Sequence, residues 1–207
     1  MRTLDVRRHS LTKKGPGRGR GSQLSQAGVE LAATWSGGPY ARVVTSHVPR
    51  GVETALAMGC AVDETVEFPD WYREPGFPRH AQWAWPDPFA QLGRLVRADA
   101  ELRAVAEAHL GVWTATVQAC ADGEEALLVG HGGAVELALV AALPHASTAG
   151  WGPPLAHGEG VRPEFRDGAV TALRFLSADG RVDVVRTGWG APGPGVVLSG
   201  TGAPFSW

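Results

Sequence analysis

Leu4-Asp5-Val6-Arg7-Arg8-His9-Ser10 opens the chain with a short run in which apolar and polar residues alternate. It then breaks into Arg-His-Ser and a loop of Gly, Lys and Arg. Such alternation predicts a strand with one buried face. An Arg-His pair at its end is either part of a basic surface loop or the start of a reactive site. The choice depends on whether the rest of the chain supplies partners for His9.

At 207 residues and 44% hydrophobic content the chain can bury a real core. Its simplest organisation is one domain over residues 1–207. No apolar run approaches the ~20 residues that span a bilayer. The charged N-terminus lacks the apolar region of a signal peptide, so a cytoplasmic location is expected and no membrane partner. Cys60 and Cys120 lack paired spacing and are expected to stay reduced.

The net charge of -2 hides an asymmetry. Ahead of Glu30, Arg2, Arg7, Arg8, Lys13, Lys14, Arg18 and Arg20 face a single acid, Asp5, which leaves +6 there and -8 in the remainder. A basic end on a mildly acidic body suits a small anionic ligand. The Gly17-Arg18-Gly19-Arg20 cluster is short and has no interleaved aromatics, so nucleic acid is not an expected partner.

Along the chain, Ser25 is placed to cap a helix through Val29-Glu30-Leu31-Ala32-Ala33. Ala41 to Ser46 reads as a buried strand, and a helix begins near Arg50, just after Pro49. From about residue 68 to 90, Trp71, Trp83, Trp85 and several prolines break any regular period. That stretch reads either as an ordered lid over a site or as extra core. Phe89 to Ala119 has helical spacing and fits two helices broken near Asp99 or Gly111. Ala126 to Gly130 is a buried strand that runs into His131-Gly132-Gly133 and a further helix. Ala169–Phe175 and Val182–Arg186 form an expected hairpin.

Three of these places share a pattern: strand, then Arg8-His9; strand ending in Ser46, then Arg50-x-x-Glu53-Thr54-Ala55; strand, then His131-Gly132. In this order they resemble the motifs of the histidine phosphatase (phosphoglycerate mutase-like) superfamily. Leu24-Ser25-x-x-Gly28 resembles the family's Leu-Thr-x-x-Gly. The resemblance covers roughly residues 4–136. It implies an α/β three-layer sandwich with a mainly parallel central sheet flanked by helices. In open sheets of that kind, ligands bind beyond the carboxyl ends of the strands, so residues distant in sequence converge there.

The resemblance implies that His9 is the phosphoryl-accepting nucleophile, with Arg8, Arg50 and His131 as its catalytic partners. It also implies that Ser10, Ser46, Gly132 and Lys13 line the substrate. The residue types suit the chemistry. A phosphomonoester dianion repels anionic nucleophiles, whereas neutral imidazole avoids that repulsion and splits one hard displacement into two. Arg8 and Arg50 can hold phosphoryl oxygens by bidentate charge-assisted bonds, and His131 can neutralise charge on the transferring group.

The leaving group needs a proton, which the family usually takes from a carboxylic acid. Glu67, at the end of the Val62–Phe68 run, is the first candidate, followed by Glu74 and then Asp70. Gly132 excludes branches with an Asp directly after the second His, and Glu136 reads as a helix-face residue one turn away. Ser10 stands where the family usually has Gly.

The expected activity is a metal-independent phosphomonoesterase acting on a small phosphorylated metabolite. No cofactor is expected, and no metal, because His47, His80, His109, His145 and His157 lack ligand spacing. A phosphomutase using the same residues and a non-catalytic phospho-ligand binding module are the alternatives. The substrate's identity and the oligomeric state stay open at this stage.

Overall fold

A computed structural model of the chain describes residues 1–14, 21–35, 38–69, 87–148, 151–177 and 182–185. Its strands are β1 (Arg2–Arg8), β2 (Arg42–Ser46), β3 (Glu64–Val66), β4 (Glu125–Gly130), β5 (Gly160–Arg166), β6 (Ala169–Leu176) and β7 (Val182–Val185). The helices are α1 (Gln26–Ala33), α2 (Pro49–Ala57), α3 (Pro88–Ala98), α4 (Ala100–Gln118) and α5 (Ala134–Ala142). The strands form one sheet in the order β3-β2-β4-β1-β5-β6-β7. β3, β2, β4 and β1 pair in parallel, and β5, β6 and β7 continue the sheet antiparallel. The expected α/β sandwich with a mainly parallel sheet is the architecture found.

Strand β4 lies between β2 and β1, and Ala126, Leu127, Leu128 and Val129 are wholly buried. A strand covered on both faces reads as a continuous apolar run, as this one does. Side-chain alternation then sorts the two layers. Leu127 and Val129 pack with Val43, Ala32, Ala55 and Trp35 beneath α1 and α2. Ala126 and Leu128 join Leu4, Val6, Phe89, Leu102, Trp113 and Leu137 beneath α3, α4 and α5.

The helix boundaries follow local chemistry. The Ser25 hydroxyl accepts from Gly28 N–H at 3.0 Å and starts α1. Asp99 closes α3, and its carboxylate accepts from Glu101 and Leu102 N–H at 2.9 and 3.1 Å to open α4. The expected break is therefore at Asp99, not Gly111.

Strand β5 is not apparent from the sequence, because Pro163 argues against an interior strand. Its pairing with β1 joins Thr3 to Glu164 and Val6 to Val161 but lapses at Leu4 and Asp5, opposite Pro163 and Arg162. The missing N–H thus falls where the ladder is already open. Arg162 uses that place to form a two-pronged bond to the buried Asp5 carboxylate, which also accepts from Tyr40 Oη at 2.8 Å.

Candidate active site

The carboxyl ends of β1, β2, β3 and β4 lie side by side and carry His9, His47, Glu67 and His131 just beyond them. His9 N–H donates to Gly130 O at 2.9 Å, extending the β1–β4 ladder past the strand and fixing the backbone beneath the ring. The His9 Nδ1 lies 2.8 Å from Ser10 O. A carbonyl can only accept, so Nδ1 carries the proton and Nε2 carries the lone pair. That lone pair accepts from Arg50 Nε at 3.1 Å. Burial, then His131 and Arg50, push the His9 pKa down to about 2 despite the Ser10 bond. The imidazole is neutral near pH 7.

The first turns of α2 hold this arrangement. Thr54 Oγ1 donates to Arg50 O at 2.6 Å and accepts from Ser10 N–H at 3.0 Å, so one hydroxyl ties the loop after His9 to the helix that bears Arg50. The Glu53 carboxylate accepts from Leu24 N–H at 2.5 Å and anchors the approach to α1. Gly51 sits over Ser46, where an added Cβ would lie 2.3 Å from Ser46 Oγ. The Arg-x-x-Glu-Thr-Ala pattern is thus an arginine that meets His9, followed by its fastenings.

His131 follows β4, its ring centroid 5.3 Å from that of His9. Burial, then Arg50, push its pKa down to about 3. Phe68 closes one side of the ring at 6.0 Å and stacks on the wholly buried His109 at 5.8 Å. Gly132 leaves room for Arg8, whose guanidinium carbon and Nε would lie 2.9 and 2.8 Å from an added Cβ. Gly133 adopts a φ of 87°, a conformation that favours glycine.

Glu136, read from sequence as a helix-face residue one turn away, lies in the first turn of α5 and is buried. It is 1% exposed, and its carboxylate accepts from Gly133 N–H at 2.6 Å and Leu155 N–H at 3.0 Å. Burial raises its pKa, opposed first by the nearby Arg8. Arg8 Nη1 in turn donates to the carbonyl oxygen of Leu155 at 2.6 Å. The turn bearing His131 and the segment before β5 are therefore tied together.

That segment brings in a residue with no partner evident in the sequence. His157 Nδ1 lies 3.2 Å from His9 O, and its ring centroid is 5.1 Å from that of His9. Gly158 N–H donates to Arg8 O at 3.1 Å, and Arg7 Nη1 donates to Gly158 O at 2.9 Å. Metal-ligand spacing is the wrong criterion for His157. The signal that could have found it is the His-Gly pair ahead of a strand, a pairing shared with His131-Gly132.

The structure thus brings together Arg8, His9, Arg50 and His131, with Gly132 against Arg8. Ser10, expected to line the substrate, is fully buried, and its hydroxyl donates to Gly28 O at 2.7 Å. Its position is that of a loop anchor. Ser46 is buried beneath Gly51, and Lys13 Nζ donates to Gln23 Oε1 at 3.0 Å on the surface. Glu67 follows β3 directly, next to the Phe68 that packs on His131. Glu74, Asp70, Trp71, Trp83, Trp85, Arg18 and Arg20 lie outside the described residues. Among the described residues, no helix is long and apolar enough to cross a membrane, and no group of three His, Cys, Asp or Glu could hold a metal ion.

No family model matches the chain, and no curated protein matches it. Solved structures do. Phosphoserine phosphatase from Entamoeba histolytica, solved with phosphoserine, aligns at a TM-score of 0.57 and 14% identity over 87% of this chain and 99% of its own. Phosphoglycerate mutase from Bacillus anthracis aligns at 0.53 and 15% identity, covering 89% of this chain and 92% of its own. The chain has the phosphoglycerate mutase-like fold. A mycobacterial glucosyl-3-phosphoglycerate phosphatase aligns at 0.51 and 22% identity over 90% of this chain and 99% of its own. Within the phosphoglycerate mutase-like fold, this chain gathers His9, His131 and His157 with Arg8 and Arg50 at one sheet end.

Proposed function

We propose that the chain is a histidine phosphatase that hydrolyses a small phosphomonoester through a phosphohistidine at His9. The observation that carries this reading is the His9 ring itself, with Nδ1 held as donor by Ser10 O and Nε2 presented as a lone pair to Arg50. Buried, neutral imidazole suits attack on a dianion, and its orientation is fixed before substrate arrives.

In the first step the Nε2 lone pair forms a bond to phosphorus while the ester P–O bond breaks. Arg50 and Arg8 transfer their donors to phosphoryl oxygens, and His131 supplies a further donor to the charge that develops. The departing oxygen takes a proton from a carboxylic acid, Glu67 in this reading, with Glu74 as the alternative. In the second step water attacks phosphorus, the same carboxylate takes its proton, and the P–N bond breaks to free inorganic phosphate and neutral His9. The reading needs no metal. It treats residues 1–207 as one domain acting in the cytoplasm. Phosphatases of phosphoserine and of glucosyl-3-phosphoglycerate among the structural neighbours support a small phosphorylated metabolite as the substrate class.

The test is phosphate release from a panel of phosphorylated metabolites in the presence of a chelator, with acid-labile labelling of the protein. Turnover and labelling that both disappear in His9→Ala support the reading. An isomerised phosphoester in place of inorganic phosphate would identify a mutase, and phosphate binding without turnover would identify a binding module.

A further inference from the structure

His9 and His131 are held in different ways. The His9 ring is tied at both nitrogens, Nδ1 by Ser10 O and Nε2 by Arg50. The His131 Nδ1 is buried and has no hydrogen-bond partner among the described residues. Its main chain is fixed, because His131 O accepts from Val135 N–H at 3.1 Å and Glu136 holds Gly133. A fixed main chain still leaves an imidazole free to turn about its last side-chain bond, where the preference is broad.

Packing supplies what the hydrogen bonds do not. Phe68 meets the His131 ring edge to face, with centroids 6.0 Å apart and planes at 78°. His9 meets it at 5.3 Å and 64°. Both pairs lie in the range where aromatic rings gain from their mutual geometry as well as from burial.

Phe68 is itself seated on two elements. It stacks on His109 of α4 at 5.8 Å, with planes 28° apart. His109 is wholly buried and neither ring nitrogen has a hydrogen-bond partner among the described residues, so its flat face is the part in use. At the end of β4, an added Cβ on Gly130 would lie 3.4 Å from Phe68 Cζ. That same glycine accepts the His9 N–H through its carbonyl. His109, Phe68 and His131 thus form a row of rings from α4 to the sheet end.

We infer that Phe68 is a positioning residue: its ring, backed by His109, aims the His131 imidazole at the phosphoryl site beside His9. The neutral imidazole carries one proton, and no acceptor among the described residues holds it on Nδ1. Nε2 can therefore carry that proton and donate it to a phosphoryl oxygen when the ring is aimed there. The orientation stands on the packing, and its catalytic consequence rests on the phosphatase reading.

Phe68→Leu keeps apolar bulk and removes the flat ring, and Phe68→Met repeats the change with a more adaptable chain. Magnetic resonance on the full chain reads cross-peaks between the carbon-bound ring protons of His9 and His131, assigned with His131→Asn. They are expected in the parent and expected to be lost in both Phe68 variants, with denaturation midpoints showing that the variants fold. Phe68→Leu should lower kcat about 10- to 100-fold at unchanged KM, the scale of a group misplaced by about 1 Å. In a His131→Asn background the same change should cost less than about twofold, because the ring it acts through is gone. Equal losses in the two backgrounds, or cross-peaks that persist in both Phe68 variants, would overturn the assignment. If the parent turns over no ester, the phosphatase reading fails, and the cross-peaks alone decide whether Phe68 orients His131.

Discussion

Arg50 Nε and His9 Nε2 meet at 3.1 Å, so the atom that would attack phosphorus is held by the group that would bind the phosphoryl oxygens. Replacing Arg50 by Ala removes both functions together. Phosphate affinity and kcat should both fall, the rate by about 10²–10³ for one transition-state contact. Lys should restore little, because a point charge cannot match the fork of a guanidinium. Steady-state kinetics with phosphate as a competing ligand reads both quantities. Unchanged phosphate affinity in Arg50→Ala would place the phosphoryl group elsewhere.

Thr54→Val keeps the shape of the side chain and removes its hydroxyl. Ser10 N–H then loses its acceptor inside a buried loop, and Arg50 O loses its donor. An unsatisfied buried donor costs about 1–3 kcal/mol. We expect a drop of that size in urea stability together with a lower kcat, since His9 and Arg50 lose their common fastening. A variant with full activity and parental stability contradicts this role.

His109 gives the protein a sensitivity to acid. It is fully buried, neither ring nitrogen has a hydrogen-bond partner among the described residues, and burial pushes its pKa down to about 4. The unfolded chain takes up a proton near 6.5, so as pH falls from there to about 4 only the unfolded state gains one. Stability is therefore complete above that window and declines through it, by roughly 3 kcal/mol from this group alone. His109→Phe, which can still stack on Phe68, should show a smaller stability difference between pH 7 and pH 4.5. Denaturant midpoints at the two pH values decide it, and an equal difference in both proteins counts against the assignment.

Glu67 is separable from its rivals by leaving group. An aryl phosphate departs as a stable phenolate, whereas an alkyl phosphate needs a proton, and general acids contribute typically ~10²–10⁴-fold. Glu67→Gln should therefore lose far more activity on an alkyl ester than on a nitrophenyl ester. Equal losses on both would remove Glu67 from the role and turn attention to Glu74.

Much of the fold is legible because β2 and β4 are largely apolar runs and β1 an alternating one, and each stops abruptly at a chemically distinctive residue. Arg8-His9, Ser46 and His131-Gly132 mark the ends of β1, β2 and β4 in both sequence and structure. Asp99 is legible as a helix break because its side chain can cap the next helix. Strand β5 is hidden by Pro163, which a local reading counts against pairing and which the sheet accommodates at a gap in the β1 ladder. Without β5, the segment before it has no reason to lie beside His9, and His157 is hidden with it. Glu136 escapes for a different cause. Helical spacing does not tell a carboxylate on the surface from one buried against Gly133 and Leu155.

The gap opposite Pro163 also divides the sheet mechanically. On one side, four parallel strands carry His9, Arg50 and His131 on their ends; on the other, the antiparallel strands β5, β6 and β7 come after the segment that carries His157. With its ladder open at Leu4 and Asp5, the β1–β5 boundary is held in part by the Arg162–Asp5 ion pair. Opening in native proteins proceeds in contiguous cooperative units, along the boundaries with fewest shared bonds. Such an opening would withdraw the third imidazole from the cluster and leave the other two seated, so amide exchange in β5 runs ahead of that in β4.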